Sequence, residues 1–189
     1  MEISQAQEHK GSVVERQGLA ACPLWEEAAA LSGVSAEEAL EVDKVCLYDR
    51  LGEAVLRRLS TAFYERVYCD TVPLPSGPLL RAAFANTTKA DAAANQALFL
   101  VERLGGPKLF SERKGRLALI SRHAPYAGVT REAAERWLQH MHAALDSVPE
   151  VDEDSKHRLS RFFKYNAFLI TEGRQLVNPQ RIIGYSKHI

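Results

Sequence analysis

The chain reads as a single all-α domain, on three observations. Apolar residues recur at helical spacing, while the period-two alternation of half-buried strands is almost absent. Helix-capping residues stand at the heads of those periodic stretches. Hydrophobic residues make up 46% of 189 residues, enough apolar material to fill one core.

The elements follow in order. After "LWEEAAALSG", Ser35 with Glu38 three residues later marks a short pre-helix. Leu51, Leu56, Leu59, Phe63 and Val67 lie on one stripe of a helix predicted from about Asp49 to Tyr68. "DTVPLPSGPLL", Asp70 to Leu80, carries three prolines and a glycine and cannot continue that helix. Thr88 and Asp91 open the next helix, in which Ala92, Ala93, Gln96, Ala97, Leu100 and Leu104 form a stripe ending at Gly105-Gly106-Pro107. "GGPKLFSERKGRLALI", Gly105 to Ile120, is only partly periodic and runs into an apolar segment holding His123; such a stretch in a helical domain is more often functional than idle. Thr130 caps a helix whose inner face is Ala133, Trp137, Met141, Ala144 and Leu145. A last helix, from about Asp154 to Thr171, presents Leu159, Phe162 or Phe163, Asn166 and Ile170, with Gly173 as its stop. Residues 1–24 are expected to be a flexible extension, 25–177 the domain and 178–189 a flexible tail.

Lys plus Arg and Asp plus Glu each number 24, so no excess charge points to nucleic acid or to an anionic membrane. The apolar runs fall short of the roughly 18 residues a membrane span needs. The N-terminus has no apolar signal core, so the expected location is cytoplasmic. Cys22, Cys46 and Cys69 are odd in number and widely spaced, which fits free thiols better than disulfides or a zinc site.

Of the six histidines, His9 and His188 fall in the tails and His157 in a charged stretch. His140 and His142 are two apart and point to different sides of their helix. On its own, His123 in "ALISRHAPY" is either a helix-end histidine bonded to a carbonyl or a metal ligand. Three polar residues weigh on that choice. Gln96 lies in an apolar stripe, where an unpaired amide costs about 1–3 kcal/mol. Trp137 lies on an inward face with an N–H that needs a partner when buried, and Tyr64 borders the first stripe with the same need in its hydroxyl. Together, opposite one histidine, they favour a cofactor pocket over mutual pairing.

Seven stretches then carry a family resemblance: "LSGV", "LSTAFYERVY", "FANTTKADAAANQ", "VERLGGP", "SERKG", "LISRHAPY" and "AAERWLQHMHAALD". In order and approximate spacing the chain, from about Trp25 to Gly173, resembles the truncated haemoglobins, in the group II branch with its plant-type members. The resemblance implies a globin-like two-on-two helical sandwich holding one b-type haem. It implies that His123 is the proximal ligand to the iron, its other ring nitrogen held by a carbonyl or water. On the opposite face it implies Tyr64, Gln96 and Trp137 as distal residues, with Ala92 at a position that here cannot donate. Phe84 matches the aromatic residue on the haem edge. Leu119, Ile120 and Met141 are implied as apolar walls, and Arg122 and Arg113 as partners for the haem propionates.

Three features depart from the family pattern. Phe110 stands where relatives usually have a tyrosine, Arg116 and Leu117 replace a usual His-Pro pair, and the proline-rich loop is long. The function implied is binding of dioxygen and other diatomics (NO, CO), as a high-affinity binder or sensor. The alternative is an enzyme of nitric oxide dioxygenation, nitrite reduction or peroxide chemistry. That alternative needs a separate reductase, since no flavin or dinucleotide motif is seen. The plant-type members suggest a homodimer by analogy.

Overall fold

Helices form where the apolar stripes lie. The computed structural model of the protein describes residues 23–75, 79–115 and 129–177. Within them run α1 (Pro23–Ser32), α2 (Ala36–Ala39) continued by a 3-10 turn (Leu40–Lys44), and α3 (Leu47–Cys69). A 3-10 turn (Leu80–Phe84), α4 (Lys89–Arg103), α5 (Leu109–Lys114), α6 (Arg131–Asp146) and α7 (Glu153–Val177) follow. Among the described residues there is no strand; an isolated bridge between Pro73 and Leu79 closes the neck of the proline-rich loop. No described helix is long and apolar enough to cross a membrane.

Three helix starts are capped as the sequence predicts. Ser35 and Glu38 form the full reciprocal box at α2, with bonds of 3.2 and 2.9 Å. Thr88 accepts from the Asp91 N–H at 3.1 Å and Thr130 from the Ala133 N–H at 3.2 Å. Each such bond satisfies an otherwise orphaned backbone donor and contributes about 1 kcal/mol.

Packing then gives the two-on-two arrangement. α3 lies against α4, α6 against α7, and α3 also crosses α6, so two helix pairs are laid on one another. Between them Leu56, Leu59, Phe63, Leu100, Met141, Leu145 and Leu159 are fully buried. Burial of such side chains contributes about 1.5–3 kcal/mol each. A second, smaller cluster of Ala28, Val34, Ala39 and Tyr165 straps α1 and α2 onto α7.

The structure differs from the sequence reading in three places. α3 is kinked at Gly52, whose φ of 72° and ψ of 164° leave the helical region, so two helical segments meet there. The last helix does not stop at Gly173 but continues to Val177. Tertiary contact overrides the glycine's weak helix propensity: Thr171 and Glu172 are buried, the Thr171 hydroxyl donates to the Phe168 carbonyl, and Glu172 is bonded to Arg131. Within the stretch from 105 to 120, Leu109–Lys114 forms a helix too short to show a stripe.

The end of α4 at Gly105 is as expected, and its glycines have a steric reason. Gly105 is left-handed at φ 101°, and a Cβ there would lie 2.7 Å from the Cys46 sulfur; one on Gly106 would lie 2.7 Å from the Tyr48 ring. That clearance lets the Tyr48 N–H donate to the Leu104 carbonyl at 3.0 Å. Cys46 and Cys69 are free thiols. His123, Arg122, Ile120, Leu119, Leu117 and Arg116, with both expected flexible ends apart from Pro23 and Leu24, lie outside the described residues.

Candidate functional site

The two helix pairs leave a cavity of about 420 Å³ between them. α3 contributes Tyr64, the Leu80–Phe84 turn contributes Phe84, α4 contributes Ala92 and Gln96, α6 contributes Trp137, and α7 contributes Asn166 and Ile170. Five residues expected at the site, Tyr64, Phe84, Ala92, Gln96 and Trp137, thus share one cavity. The other two described candidates do not line it. Met141, one turn beyond Trp137, is fully buried in the core behind the wall. Arg113 is exposed on α5, whereas its neighbour Lys114, a helical step round, lines the cavity.

The polar tips are held by their surroundings. Tyr64 is buried, its ring edge-on to Phe63 at 4.9 Å and to Phe84 at 5.3 Å. Burial, with a lesser effect of Tyr68, raises its phenol pKa above the ordinary value, so the hydroxyl keeps its proton and is a donor. Trp137 packs between Phe63 at 4.9 Å and Phe163 at 5.6 Å. Neither the Tyr64 hydroxyl nor the Trp137 N–H has a hydrogen-bond partner among the described residues. The Gln96 Oε1 is buried and likewise has no partner.

Two contacts outside the cavity fix its walls. The Tyr68 hydroxyl donates to the Thr87 carbonyl at 2.7 Å, which ties the turn carrying Phe84 to α3. Asp70, at the end of α3, accepts from Arg136 Nε and Nη2, both at 2.7 Å, and from the Val72 N–H at 3.0 Å. His140 Nε2 lies 2.7 Å from the same carboxylate. The Arg136 guanidinium chiefly, with His140 and the Val72 amide, holds the Asp70 carboxyl well below the usual range although burial opposes this. His140 thus serves a clasp between α3 and α6. His142, on another side of α6, has a buried Nε2 with no partner among the described residues, and burial lowers its pKa. Among the described residues no group of three or more His, Cys, Asp or Glu could hold a metal.

Sequence reasoning passed over several lining residues. Asn86, Thr87 and Lys114 line the cavity from irregular or short segments, where no periodicity marks an inward face. Asn95 and Phe99 flank the predicted stripe of α4, and only the cavity's width brings them in.

Residues 46–170 match the family model described as bacterial-like globin. The chain is 45% identical over 155 residues to two-on-two hemoglobin-3 of Arabidopsis thaliana, covering 82% of this chain and 85% of that protein. It is 43% identical, again over 155 residues, to group 2 truncated hemoglobin 3-1 of Lotus japonicus, covering 82% and 89% respectively. Among solved structures it resembles a truncated oxygen-avid haemoglobin from Bacillus subtilis, with a TM-score of 0.57 and 32% identity over 65% of this chain and 96% of that one. A cavity walled by two crossed helix pairs is what those relationships lead one to expect, and the chain belongs to the bacterial-like globins, in the group of two-on-two truncated haemoglobins.

Proposed function

We propose that the cavity holds a b-type haem, that His123 is the sole protein ligand to its iron, and that the protein retains dioxygen tightly. Membership of the globins already makes it a haem protein for oxygen-type ligands. The observation that carries the finer reading is the Gln96 oxygen, which has no partner among the described residues and belongs to a lining residue of the same cavity as two donors, on Tyr64 and Trp137, that likewise lack one there. A buried amide without a partner costs about 1–3 kcal/mol, a cost relieved once a half-turn of the carboxamide lets its N–H meet an acceptor in the cavity. Much of the remaining wall, such as Leu80, Phe84, Phe99 and Leu100, is apolar and suits a flat hydrophobic cofactor. The residues present therefore fit the group.

When bound, the haem supplies an iron that takes up a diatomic gas and leaves partial negative charge on it. The chain's own residues act on that charge. Tyr64 donates its O–H, Trp137 its N–H, and Gln96 its amide N–H after a half-turn of the carboxamide, since oxygen and nitrogen ends are interchangeable by rotation. Ala92 has nothing to donate and leaves the approach open. Phe84 and Phe99 keep water away, which strengthens each hydrogen bond. Lys114 is a cation for the cofactor's carboxylates, in the role expected of Arg113, with Arg122 as the second candidate.

The test is an absorption spectrum of the ferric, ferrous and carbonmonoxy forms, repeated on His123→Ala, with the oxygen off-rate of the ferrous protein. Loss of the histidine-ligated spectrum in His123→Ala and slow oxygen release in the unaltered protein are expected. An unchanged spectrum in His123→Ala would exclude it as ligand, and fast release would overturn tight retention.

A further inference from the structure

The aromatic contacts of the cavity continue beyond its wall. Tyr64 lines the cavity, and one turn along α3 the ring of Tyr68 lies 6.4 Å from it, centroid to centroid. Tyr68 is half-buried and packs on the edge of the core. Its hydroxyl donates to the Thr87 carbonyl at a position open to solvent. Among the described residues the other rings touching Tyr64 are Phe63 and Phe84. A phenylalanine ring has no heteroatom to release electron density, so it resists one-electron oxidation far more than a phenol does. Among the described residues, Tyr64 to Tyr68 is therefore the direct conducting step out of the cavity along α3.

The two phenols differ in what can become of their proton. A phenol that loses an electron becomes strongly acidic and is stable only once the proton has left. Tyr64 is buried, and its hydroxyl has no acceptor among the described residues. Burial disfavours loss of its proton, and no described side chain stands ready to take it, so an electron vacancy there moves on. Tyr68 can release its proton to water and take it back, with the Thr87 carbonyl holding the ring in place.

We infer that Tyr68 is a surface oxidation site: when peroxide is reduced in the cavity, electrons are drawn one at a time from Tyr68 through Tyr64, and small phenolic reductants refill Tyr68 from outside. The balance closes. Hydrogen peroxide takes up two electrons and two protons, its O–O bond breaks, and two waters leave. Two phenol molecules each lose one electron and one proton, their O–H bonds break, and two phenoxyl radicals leave. Tyr68 gives its proton to water with each electron and regains both, so it ends each cycle unchanged. The inference rests on the haem reading above and adds to it an outlet and a substrate class.

The test treats the purified haem protein with hydrogen peroxide in the presence of a biotin-linked phenol, which couples covalently to tyrosyl radicals, and maps the adducts by peptide mass spectrometry. Freeze-quenched electron paramagnetic resonance follows the radical directly. The adduct is expected on Tyr68 and not on Tyr48, which is also half-buried but packs at Gly106. Tyr68→Phe should lose both the adduct and the tyrosyl signal, and Tyr64→Phe should lose most of the Tyr68 adduct per peroxide consumed. A Soret band with label on Tyr48 equal to that on Tyr68, or Tyr68 label undiminished in Tyr64→Phe, would overturn the inference alone. Protein purified with no Soret band would overturn the haem reading and this inference with it.

Discussion

Tyr64, Gln96 and Trp137 each have a polar atom to which the described residues offer no hydrogen-bond partner. Tyr64→Phe keeps the ring and its contacts with Phe63 and Phe84 and removes only the donor. A charge-assisted hydrogen bond is worth roughly 1.5–3 kcal/mol, so oxygen release measured by stopped flow should quicken on the order of tenfold to a hundredfold. Gln96→Leu should split two readouts. It removes the orphaned amide and so should raise the stability of the ligand-free protein by about 1 kcal/mol, while shortening ligand retention. A variant that lost both would place Gln96 in a structural role. Gln96 was legible in the sequence because a polar group inside an apolar stripe breaks its pattern, whereas Tyr64, at a stripe's border, and Trp137, on an inward face, were assigned as distal residues only through the family resemblance. Lys114 and Asn86 were not legible, because polar residues on short or irregular segments are the ordinary case and only the folded cavity shows which of them face inward.

At the scale of the helix, the Asp70 clasp joins the end of α3 to the middle of α6. Its carboxylate is nearly inaccessible, at 2% side-chain exposure, and both Arg136 and His140 converge on it. Asp70→Ala leaves the Arg136 charge partly buried and unpaired and should cost about 3 kcal/mol in urea unfolding. The pH dependence follows from the depressed carboxyl. With its folded pKa below the unfolded value, its stabilisation is complete above about pH 4 and is lost as the pH falls toward the folded value. Acid titration should therefore show a decline in strong acid that Asp70→Asn lacks. Helix starts were readable from Ser35, Thr88 and Thr130 because a cap is a local bond between near neighbours. The Gly52 kink was not, since Leu51 and Leu56 are buried on either side and the stripe shows no break. Nor was the run of α7 past Gly173, which depends on Arg131, a residue far away in sequence.

For the whole molecule, the stripes of α3, α4, α6 and α7 made a single all-α domain legible, because each needs a covering partner, while the two-on-two arrangement was legible only through motifs in family order. The strap of α1 and α2 on α7 was not: alanines such as Ala28 and Ala39 carry little pattern, and Tyr165 lies off the predicted inner face. Stability in mild acid should be governed by His142. Burial lowers its pKa, helped by Lys164 and opposed by Asp146, so the folded protein holds it neutral. The unfolded chain binds a proton near pH 6.5, so stability should fall as the pH drops below that value. The urea midpoint should decline from pH 7 to pH 5.5 in the natural protein and less in His142→Gln; equal declines would exclude His142 as the cause. The Asp70 clasp has a further meaning at this scale. Asp70 follows Tyr64 by six residues on one side of the cavity, and Arg136 immediately precedes Trp137 on the other. The clasp is thus a gauge block, set outside the pocket, that fixes the span between the Tyr64 and Trp137 walls.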